Sequence, residues 1–564
     1  MAKGLVIAAS LGNCVHVAGA VHFLNLARDE GYATLFLGPA VKPEDLLARV
    51  RELEPAIVSV GYRLTPESGL ALAAELMERS RALEKQPVWA LGCTRPVAER
   101  ARELGFFDVI FDGTDDIDDS IAFLRYGAIP GGGAQEYFAR GLTERIAQKR
   151  PYPLLRHHFG LPSYDDTLRG IETIAESRAL DVISLGIDQN TQQYFFRQES
   201  RDGRLEGAGG VPVRSEDEFR RLRQAARRGN FPLMRCYSGT ADVMRFGEML
   251  LGAIDNAWCA APLCWYNELD GRGERTLRES VEDAQRLIAF HGGRGVPVEV
   301  NEPHHWGLRD AHDVISVAMS YISAYNAKKY GARDYVSQYM FNIPNSLTFS
   351  MDLAKVMAQV SMTESLADSG FRVYREVRAG LPFLSGDPNV AKGQLAASTA
   401  LAMNIDPHII HVVGYSEAEY AATPEVVVES CGIVRGVVRS TLFGNADATA
   451  DRRVTERRAE LMREAEYLLG FIDDAYSGVS SDPLGDAAVI ADCVKRGILD
   501  APHIVRRDGA DAPQTRVIDG KCVAWDPDAG APVCERERLG RLGISPDRRA
   551  RAAGSGGVRA GAAP

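Results

Sequence analysis

Cys14, His16 and Gly19 form a short motif, Cys-x-His-x-x-Gly, near the start of the chain. The apolar run Gly4–Ala9 before it predicts a buried parallel strand, and the spacing of apolar residues in Ala20–Arg28 predicts a helix after it. His16 is therefore expected on a loop at the carboxyl end of a first strand, where open α/β sheets bind ligands. The triplet alone is more typical of an ordinary loop histidine before a helix.

Alternating strand and helix patterns surround this motif in residues 1–128. Strands are predicted at Gly4–Ala9, Ala33–Gly38, Ala56–Gly61, Val88–Gly92 and Val109–Phe111. Helices are predicted between them, including Pro43–Leu53, Ser68–Leu83 and Arg95–Leu104. Strict alternation predicts a doubly wound parallel sheet of the Rossmann or flavodoxin-like type, with the loops after its strands at one edge.

The motif and the later loops resemble those of cobalamin-binding domains, whose signature is Asp-x-His-x-x-Gly. The resemblance implies that His16 ligates the cobalt of cobalamin and that the loops Ser59–Thr65 and Gly92–Thr94 line its nucleotide tail. The implied cofactor-binding residues of this domain are His16, Cys14, Gly19, Ser59, Gly61, Tyr62, Leu64, Gly92 and Thr94. Cys14 replaces the family's Asp, and a thiol is a poor acceptor for the histidine N–H. Cys93 replaces a glycine and narrows the space for the tail. We therefore expect looser cobalamin binding than in relatives that carry the Asp.

Length and composition limit the remaining possibilities. A chain of 564 residues is long enough for two large domains and an appendage. Its formal charge of -11 gives no electrostatic reason to expect nucleic acid as a partner. We expect no membrane partner, because we find neither a membrane-spanning apolar run nor a signal-like leader. Nine scattered cysteines fit a reducing cytoplasm.

A second, larger domain is predicted for residues 151–445, after a linker at 129–150 that contains glycine-rich sequence. Its strands are predicted at Asp181–Ile187, Pro232–Tyr237, Trp258–Leu263, Pro297–Asn301, Tyr335–Met340, Phe371–Tyr374 and His408–Val413. Long helices between them favour a (β/α)₈ TIM barrel, whose chemistry lies on the loops after the strands. Residues 446–540 are predicted as a small appendage with helices at Val454–Ile472 and Asp486–Arg496 and a hairpin at Arg516–Trp525. Residues 541–564 are predicted to be a disordered tail.

The barrel resembles the large (epsilon) subunit of glutamate mutase. The resemblance rests on Ser238–Asp242, Cys264–Asn267, Val300–Pro303, Ser416–Glu425 and Gly497–Pro502, in continuous order. It implies an adenosylcobalamin-dependent radical carbon-skeleton mutase, with the small cobalamin subunit fused in front of the barrel. It is also consistent with a homodimer through the barrel and with a small-molecule substrate.

The resemblance also implies catalytic and adenosyl-binding residues. Tyr266 matches a substrate-contacting tyrosine, and Glu419, or Glu417 two residues earlier, matches the glutamate that contacts the adenosyl ribose. Tyr415 is the nearest substitute for a missing lysine. Glu302 and His304 are predicted to face the cofactor or substrate. A metal site in this segment is the minority interpretation, because adjacent histidines point in different directions. Tyr266, Glu419 and Glu302 are our predicted catalytic residues.

The family's arginine clamp for substrate carboxylates is mostly missing from this chain. Gln192 replaces one arginine, Arg235 lies beside a second position, and Arg156 is placed to keep the first. Asp270 replaces a second tyrosine and Ala260 a substrate-binding glutamate. The predicted substrate-binding residues are Arg156, Gln192, Arg235, Asp270, His304 and Arg378. Arg378 is equally well interpreted as an exposed structural arginine.

We therefore expect the substrate to be a small carboxylic or amino acid other than glutamate. A corrinoid-dependent methyltransferase and a non-catalytic cobalamin-binding protein are the two alternatives. Fold alone does not separate the three.

Overall fold

The computed structural model describes residues 3–113, 117–127, 138–237, 239, 241–442, 444–506 and 512–544. The chain divides into two compact units, Met1–Tyr137 and Phe138–Pro564. The glycine-rich linker sequence after Gly127 and residues 545–564 of the predicted disordered tail lie outside the described residues. In the described parts, no helix is long and apolar enough to cross a membrane.

The first unit is a doubly wound α/β domain, as predicted. Its parallel sheet has the order β2-β1-β3-β4-β5. The strands are β1 (Leu5–Leu11), β2 (Ala33–Val41), β3 (Ile57–Tyr62), β4 (Val88–Cys93) and β5 (Val109–Phe111). The helices are α1 (Ala18–Asp29), α2 (Pro43–Leu53), α3 (Pro66–Ser80), α4 (Arg95–Glu103) and α5 (Ile117–Tyr126).

The strand order of this sheet determines where a ligand binds. From β1 the chain turns to β2 on one side and then crosses to β3 on the other, so the carboxyl ends of β1 and β3 form a crevice at a topological switch point. Contacts between α1 and α5 and among α2, α3 and α4 define one helical layer on each face of the sheet. The apolar runs of β1 and β3 are buried between these layers.

The second unit contains an eight-stranded parallel barrel, which confirms the predicted fold class. The strands are β6 (Leu154–Phe159), β7 (Val182–Leu185), β8 (Leu233–Cys236), β9 (Cys259–Ala261), β10 (Val298–Val300), β11 (Asp334–Phe341), β12 (Arg372–Ala379) and β13 (Ile409–His411). Their order is β8-β7-β6-β13-β12-β11-β10-β9. Between the end strands β8 and β9, the Ala257 N–H donates to the Met234 carbonyl at 2.8 Å, so the barrel is nearly closed.

Eleven helices accompany the barrel strands. They are α6 (Leu142–Lys149), α7 (Tyr164–Glu176), α8 (Gln189–Tyr194), α9 (Glu216–Ala225), α10 (Val243–Ile254), α11 (Leu277–Gly292), α12 (Pro303–Gly307), α13 (Asp313–Lys329), α14 (Phe349–Glu364), α15 (Pro388–Ala402) and α16 (Pro424–Thr441). Ser215 and Thr276 each form a capping box, at the starts of α9 and α11. These side chains satisfy backbone N–H groups that a helix start leaves unpaired.

The strand β6 is the one barrel strand that the sequence analysis did not predict. Its sequence, Leu-Leu-Arg-His-His-Phe, breaks the apolar pattern of a barrel strand. The reason is the polar interior of this barrel, where Arg156 is wholly buried. The other seven strands lie within two residues of their predicted starts, although β12 extends to Ala379, five residues past its predicted end.

The C-terminal segment packs on the barrel. It consists of α17 (Arg452–Tyr476), α18 (Ala487–Lys495), β14 (Thr515–Ile518), β15 (Lys521–Asp526), β16 (Ala531–Pro532) and α19 (Glu535–Arg541). The predicted hairpin is present as the antiparallel pair β14–β15. Helix α17 lies against α13 and α14, and Thr515 Oγ1 donates to the Asp310 carbonyl at 2.8 Å. The segment therefore reaches loops that follow barrel strands.

The turn of this hairpin requires a glycine. Gly520 has a φ of +75°, and a Cβ at this position would lie 2.3 Å from Thr348 Cγ2. The Thr348 N–H donates to the Gly520 carbonyl at 3.1 Å. A side chain at Gly520 would be strained and would also separate the hairpin from the barrel.

Candidate functional site

The loop after β1 presents His16 at the edge of the first sheet. His16 is exposed, and Cys14, two residues earlier, is wholly buried. Cys14 Sγ lies 3.7 Å from His16 Nδ1, and Ser10 Oγ donates to the His16 carbonyl at 2.9 Å. The thiol thus stands beside Nδ1, which makes Nε2 the ring nitrogen available to a metal.

Small residues keep the space around this loop open. A Cβ at Gly19 or at Gly92 would meet nothing within 4 Å. At Gly61 it would come no closer than 3.8 Å to Ala9 O and Ser10 Oγ. An exposed imidazole beside open backbone suits a large planar cofactor with a tail, so the predicted residues fit cobalamin.

The remaining predicted residues of this unit have distinct positions. Ser59 and Tyr62 are buried, and the Tyr62 hydroxyl donates to Asn13 Oδ1 at 3.3 Å across the crevice. Leu64 is 36% exposed at the surface. Thr94 precedes α4 as its N-cap residue, but its side chain makes no capping hydrogen bond. The Thr94 hydroxyl therefore remains available to a ligand at that strand end.

Four charged side chains fill the centre of the barrel. Arg156, Arg235, Glu299 and Glu376 come from β6, β8, β10 and β12, and all four are 0% exposed. Such a set from alternate strands is one interior layer of a TIM barrel, and we call it the ionic layer. Arg156 donates to Glu376 Oε1 through Nε and Nη2 at 2.8 and 2.5 Å. Arg235 Nη2 donates to Glu299 Oε2 at 2.5 Å.

The mouth layer lies two residues further along the same strands, at the carboxyl end of the barrel. It consists of His158, Tyr237, Asn301 and Arg378. The rings of His158 and Tyr237 stack at 5.3 Å, and Asn301 Nδ2 donates to the Tyr237 hydroxyl at 2.8 Å. Side chains alternate in direction along a strand, so residues at i and i+2 face the same interior.

Histidines surround the mouth layer and are held neutral. The His411 ring lies 5.0 Å from that of His158, and the His304 ring lies 4.3 Å from that of His305. Burial, followed by the charge of Arg156 or Arg378, holds the pKa of His158, His304 and His411 well below its ordinary value. For His305, burial and neighbouring His304 do the same. These imidazoles are therefore hydrogen-bonding groups rather than cations at neutral pH.

Tyr266 joins this set through a strained loop. Its φ is +63°, in the left-handed region that bulky residues rarely adopt, and its ring lies 5.7 Å from His305 and 6.2 Å from Tyr237. Burial raises the pKa of Tyr266 to about 12. Asp270 Oδ2 accepts from the Tyr266 N–H at 3.2 Å and pairs with Arg272 at 2.6 Å. Asp270, predicted to bind substrate, thus also supports the loop that carries Tyr266.

Glu302 is a buried acceptor at the end of β10. Glu302 Oε2 accepts from the N–H groups of Leu263 and Cys264 at 3.0 Å each, and Oε1 accepts from Trp306 Nε1 at 2.9 Å. It is 0% exposed, and burial raises its pKa to about 7. This placement favours a role in fixing the loop after β9. Within the described residues, no group of three metal-binding side chains occurs, at Glu302 and His304 or elsewhere.

The other predicted barrel residues lie apart from the mouth layer or bond elsewhere. Gln192 Nε2 donates to the Ile187 carbonyl at 2.8 Å. The Tyr415 hydroxyl donates to Glu429 Oε2 at 2.6 Å, between α15 and α16. Glu417 accepts from the Gly414 N–H at 2.5 Å and lies 3.6 Å from His157 Nδ1. Glu419 is exposed, so of the two glutamates Glu417 is the one closer to the barrel interior.

Several residues of the mouth were not among the predicted site residues. They are His158, Tyr237, Asn301, His305 and His411. The sequence does contain a signal for three of them, His158, Tyr237 and Asn301. They belong to a set of polar pairs two residues apart, at positions 156/158, 235/237, 299/301 and 376/378. Such pairs at the carboxyl ends of alternate strands indicate two polar layers inside a barrel.

The open sheet with an exposed histidine loop defines the first unit as a ligand-binding α/β domain. Residues 4–121 match the family model of the B12 binding domain. The first unit is therefore a cobalamin-binding domain. No curated protein matches the chain.

Three solved structures are similar to this chain at identities below 25%. A cobalamin-binding protein from Desulfitobacterium hafniense DCB-2 is 21% identical over 19% of this chain and 52% of that one, with a TM-score of 0.18. This chain thus spans about half of that protein. The methanol:cobalamin methyltransferase complex MtaBC from Methanosarcina barkeri is 24% identical over 16% and 35%, with a TM-score of 0.16. The cobalamin-dependent S-adenosylmethionine radical enzyme OxsB is 9% identical over 85% and 68%, with a TM-score of 0.18.

Proposed function

We propose that this protein is an adenosylcobalamin-dependent radical mutase that acts on a small carboxylic or amino acid other than glutamate. The observation that carries the proposal is the combination, in one chain, of a B12 binding domain and a parallel barrel with a polar, aromatic-lined mouth. In such an enzyme the cofactor supplies the chemistry of the reaction, and the barrel mouth would supply the polar and aromatic groups that bind the substrate.

His16 would hold the corrinoid from the loop after β1, with Gly19, Gly61 and Gly92 leaving space for its tail. Adenosylcobalamin, when bound, supplies a carbon-centred radical through homolysis of its cobalt–carbon bond. In the barrel, Tyr266 and Tyr237 offer hydroxyl donors, and the neutral imidazoles offer both donors and acceptors. Arg378 offers a guanidinium to a carboxylate.

The experiment is anaerobic binding of adenosyl- and methylcobalamin to the full chain, followed by absorption and electron spin resonance spectra as candidate acids are added. We expect a substrate-dependent cob(II)alamin signal coupled to an organic radical. A preference for methylcobalamin, with methyl transfer to an acceptor, would contradict the mutase proposal and would identify the protein as a methyltransferase. Corrinoid binding with no turnover of any kind would favour a non-catalytic carrier.

A matched pair of variants tests the role of His16. In His16→Ala we expect the corrinoid to bind more weakly. We also expect its absorption spectrum to lack the change that ligation by a protein imidazole produces. His22→Ala removes another exposed histidine, on α1, and should leave the spectrum unchanged. Identical spectra for His16→Ala and the unaltered protein would contradict ligation by His16.

A further inference from the structure

The ionic layer cancels its own charge. It contains two guanidinium groups and two carboxylates, and each arginine donates to a glutamate at 2.5 Å. Gln338 Nε2 also donates to Glu376 Oε1 at 2.7 Å, and Trp258 Nε1 donates to Glu299 Oε2 at 2.7 Å. The charges of Arg156 and Arg235 are thus already balanced by carboxylates within this layer. The charge presented to a ligand must come from the mouth.

Arg378 is the charged member of the mouth layer, and it lacks a carboxylate partner. Arg378 Nε donates to the Ala379 carbonyl at 3.4 Å. Among the described residues, no Asp or Glu oxygen lies within 4.0 Å of its guanidinium nitrogens. It pairs in register with His411 on β13, whose ring faces His158. A half-buried guanidinium with unused donors is a site for one carboxylate.

Three buried histidines of the barrel, His304, His305 and His411, have unpaired ring nitrogens. In the described parts of the chain, His304 Nδ1, His411 Nδ1 and both ring nitrogens of His305 are buried without a hydrogen-bond partner. The three residues are 5%, 4% and 6% exposed. Buried polar atoms are normally paired. These nitrogens therefore indicate a ligand with polar atoms of its own, beyond the carboxylate.

We propose that the barrel mouth binds a small monocarboxylic acid that carries one uncharged polar group, with Arg378 binding the carboxylate and the histidines binding the polar group. The inference deepens the proposed function and rests on it for the reaction, but not for the binding. A second carboxylate finds no second unpaired guanidinium in the mouth layer. Nearby Arg272 and Arg309 share Asp270, and they lie over the rings of Tyr266 and Trp265 at 3.9 and 4.1 Å.

An ammonium group is disfavoured by the same surroundings. Burial, followed by the charges of neighbouring arginines that include Arg156 and Arg378, holds the pKa of His158 and His411 low. Surroundings that disfavour a charged imidazole also disfavour a substrate ammonium group. A hydroxyl or carbonyl group meets no such penalty and still provides hydrogen bonds to the imidazoles.

Three matched acids of the same chain length test the proposal on the full-length protein without corrinoid. They are 2-hydroxybutyrate, malate, which adds a second carboxylate, and 2-aminobutyrate, which replaces the hydroxyl with an ammonium group. Binding is measured by saturation-transfer NMR and by thermal stabilisation. We expect 2-hydroxybutyrate to bind more tightly than both others. In Arg378→Gln its affinity should fall about tenfold or more, as expected for a lost charged hydrogen bond.

Arg372→Gln is the matched control. Arg372 lies at the opposite end of β12, where it pairs with Asp334 at the surface, so its loss should leave binding unchanged. Arg378→Lys keeps the charge and should keep part of the affinity. It therefore separates the effect of losing the charge from the effect of replacing the side chain. Preference for malate or 2-aminobutyrate, binding unchanged in Arg378→Gln, or no binding of any acid would overturn the inference. Corrinoid spectra of the same samples separate its failure from that of the proposed function.

Discussion

Glu376 and Arg156 form a two-pronged ion pair in the middle of the barrel, with both nitrogens of one edge of the guanidinium donating to a single carboxylate oxygen, Oε1. Neither side chain is exposed to solvent. Taking two charges out of water is costly, and their attraction offsets that cost only while both partners are present. The pair is therefore a structural element whose members are sensitive to single replacement.

Arg156→Met is expected to destabilise the barrel by about 3–5 kcal/mol, because it leaves Glu376 buried without its cation. Adding Glu376→Leu to that variant should recover a large part of the loss. Urea unfolding followed by tryptophan fluorescence measures both, since four of the five tryptophans, Trp258, Trp265, Trp306 and Trp525, lie in the second unit. The surface replacement Arg372→Gln should cost at most about 1 kcal/mol. A loss of similar size for Arg156→Met and Arg372→Gln would contradict this account.

Replacement of Cys14 by Asp is expected to tighten corrinoid binding. A carboxylate beside His16 Nδ1 accepts its proton and makes Nε2 a better ligand, which the thiol at 3.7 Å does poorly. Supporting partners of a ligating histidine typically change affinity by about 10–100-fold. Titration with cobalamin at constant pH measures the dissociation constants. Cys14→Asn has the same shape without the charge and should give a smaller gain, and tighter binding by Asn than by Asp would refute the argument.

The stability of the barrel should fall in acid through His408. Its Nδ1 accepts from the Arg375 N–H at 3.1 Å, and burial lowers its pKa from 6.5 to about 4. Between these values the unfolded chain binds a proton that the folded chain does not, so the free energy of unfolding rises from pH 4 to pH 6.5.

His408→Asn keeps an acceptor and removes the titration. It should reduce the loss of unfolding free energy between about pH 7 and pH 5 by about 1–2 kcal/mol. Other buried histidines act in the same direction, so part of the dependence should remain. The exposed His503 provides the control, His503→Asn, for which we expect the original slope. An unaltered pH dependence in His408→Asn would show that this side chain does not titrate as described.

Two glycines of the C-terminal sheet have similar backbone angles, so replacing each of them distinguishes the effect of backbone strain on stability from the effect of a steric clash. Gly520 and Gly530 have φ values of +75° and +61°, but only a Cβ at Gly520 would meet other atoms, those of Thr348. Gly530→Ala should cost about 1 kcal/mol from backbone strain alone. Gly520→Ala should cost about 1–3 kcal/mol more. Thermal unfolding of the two variants measures the difference, and equal midpoints would mean that Thr348 moves aside freely.

The sequence predicted the elements whose side chains are apolar and could not predict the polar ones. Seven barrel strands have enough Val, Ile, Leu and Ala to be recognised, whereas β6 carries Arg156 and His158 into the interior and looks like a loop. Burial of an arginine depends on a carboxylate from β12, more than two hundred residues away in the chain. No local pattern contains that information.

The same limit applies to the candidate site. The loop with His16 follows an apolar strand, so its place at the sheet edge followed from local pattern alone. Tyr415, by contrast, lies in the loop after β13 and donates to Glu429 on α16, and Asp270 accepts from the backbone N–H of Tyr266 in a loop with an unusual conformation. Resemblance identifies which positions lie near a site, but tertiary contacts decide which side chains remain available.

The separation of the barrel interior into two layers has an evolutionary consequence. The four charges of the ionic layer balance among themselves, while Arg235 also contacts His158 and the ring of Tyr237 in the mouth layer. Under the proposed function, substitutions at positions 301 and 378 would alter the ligand that the mouth binds while the ion pairs of the scaffold stay intact. A lineage built on this barrel would then change its ligand by single steps, each of which leaves a folded intermediate for selection to act on.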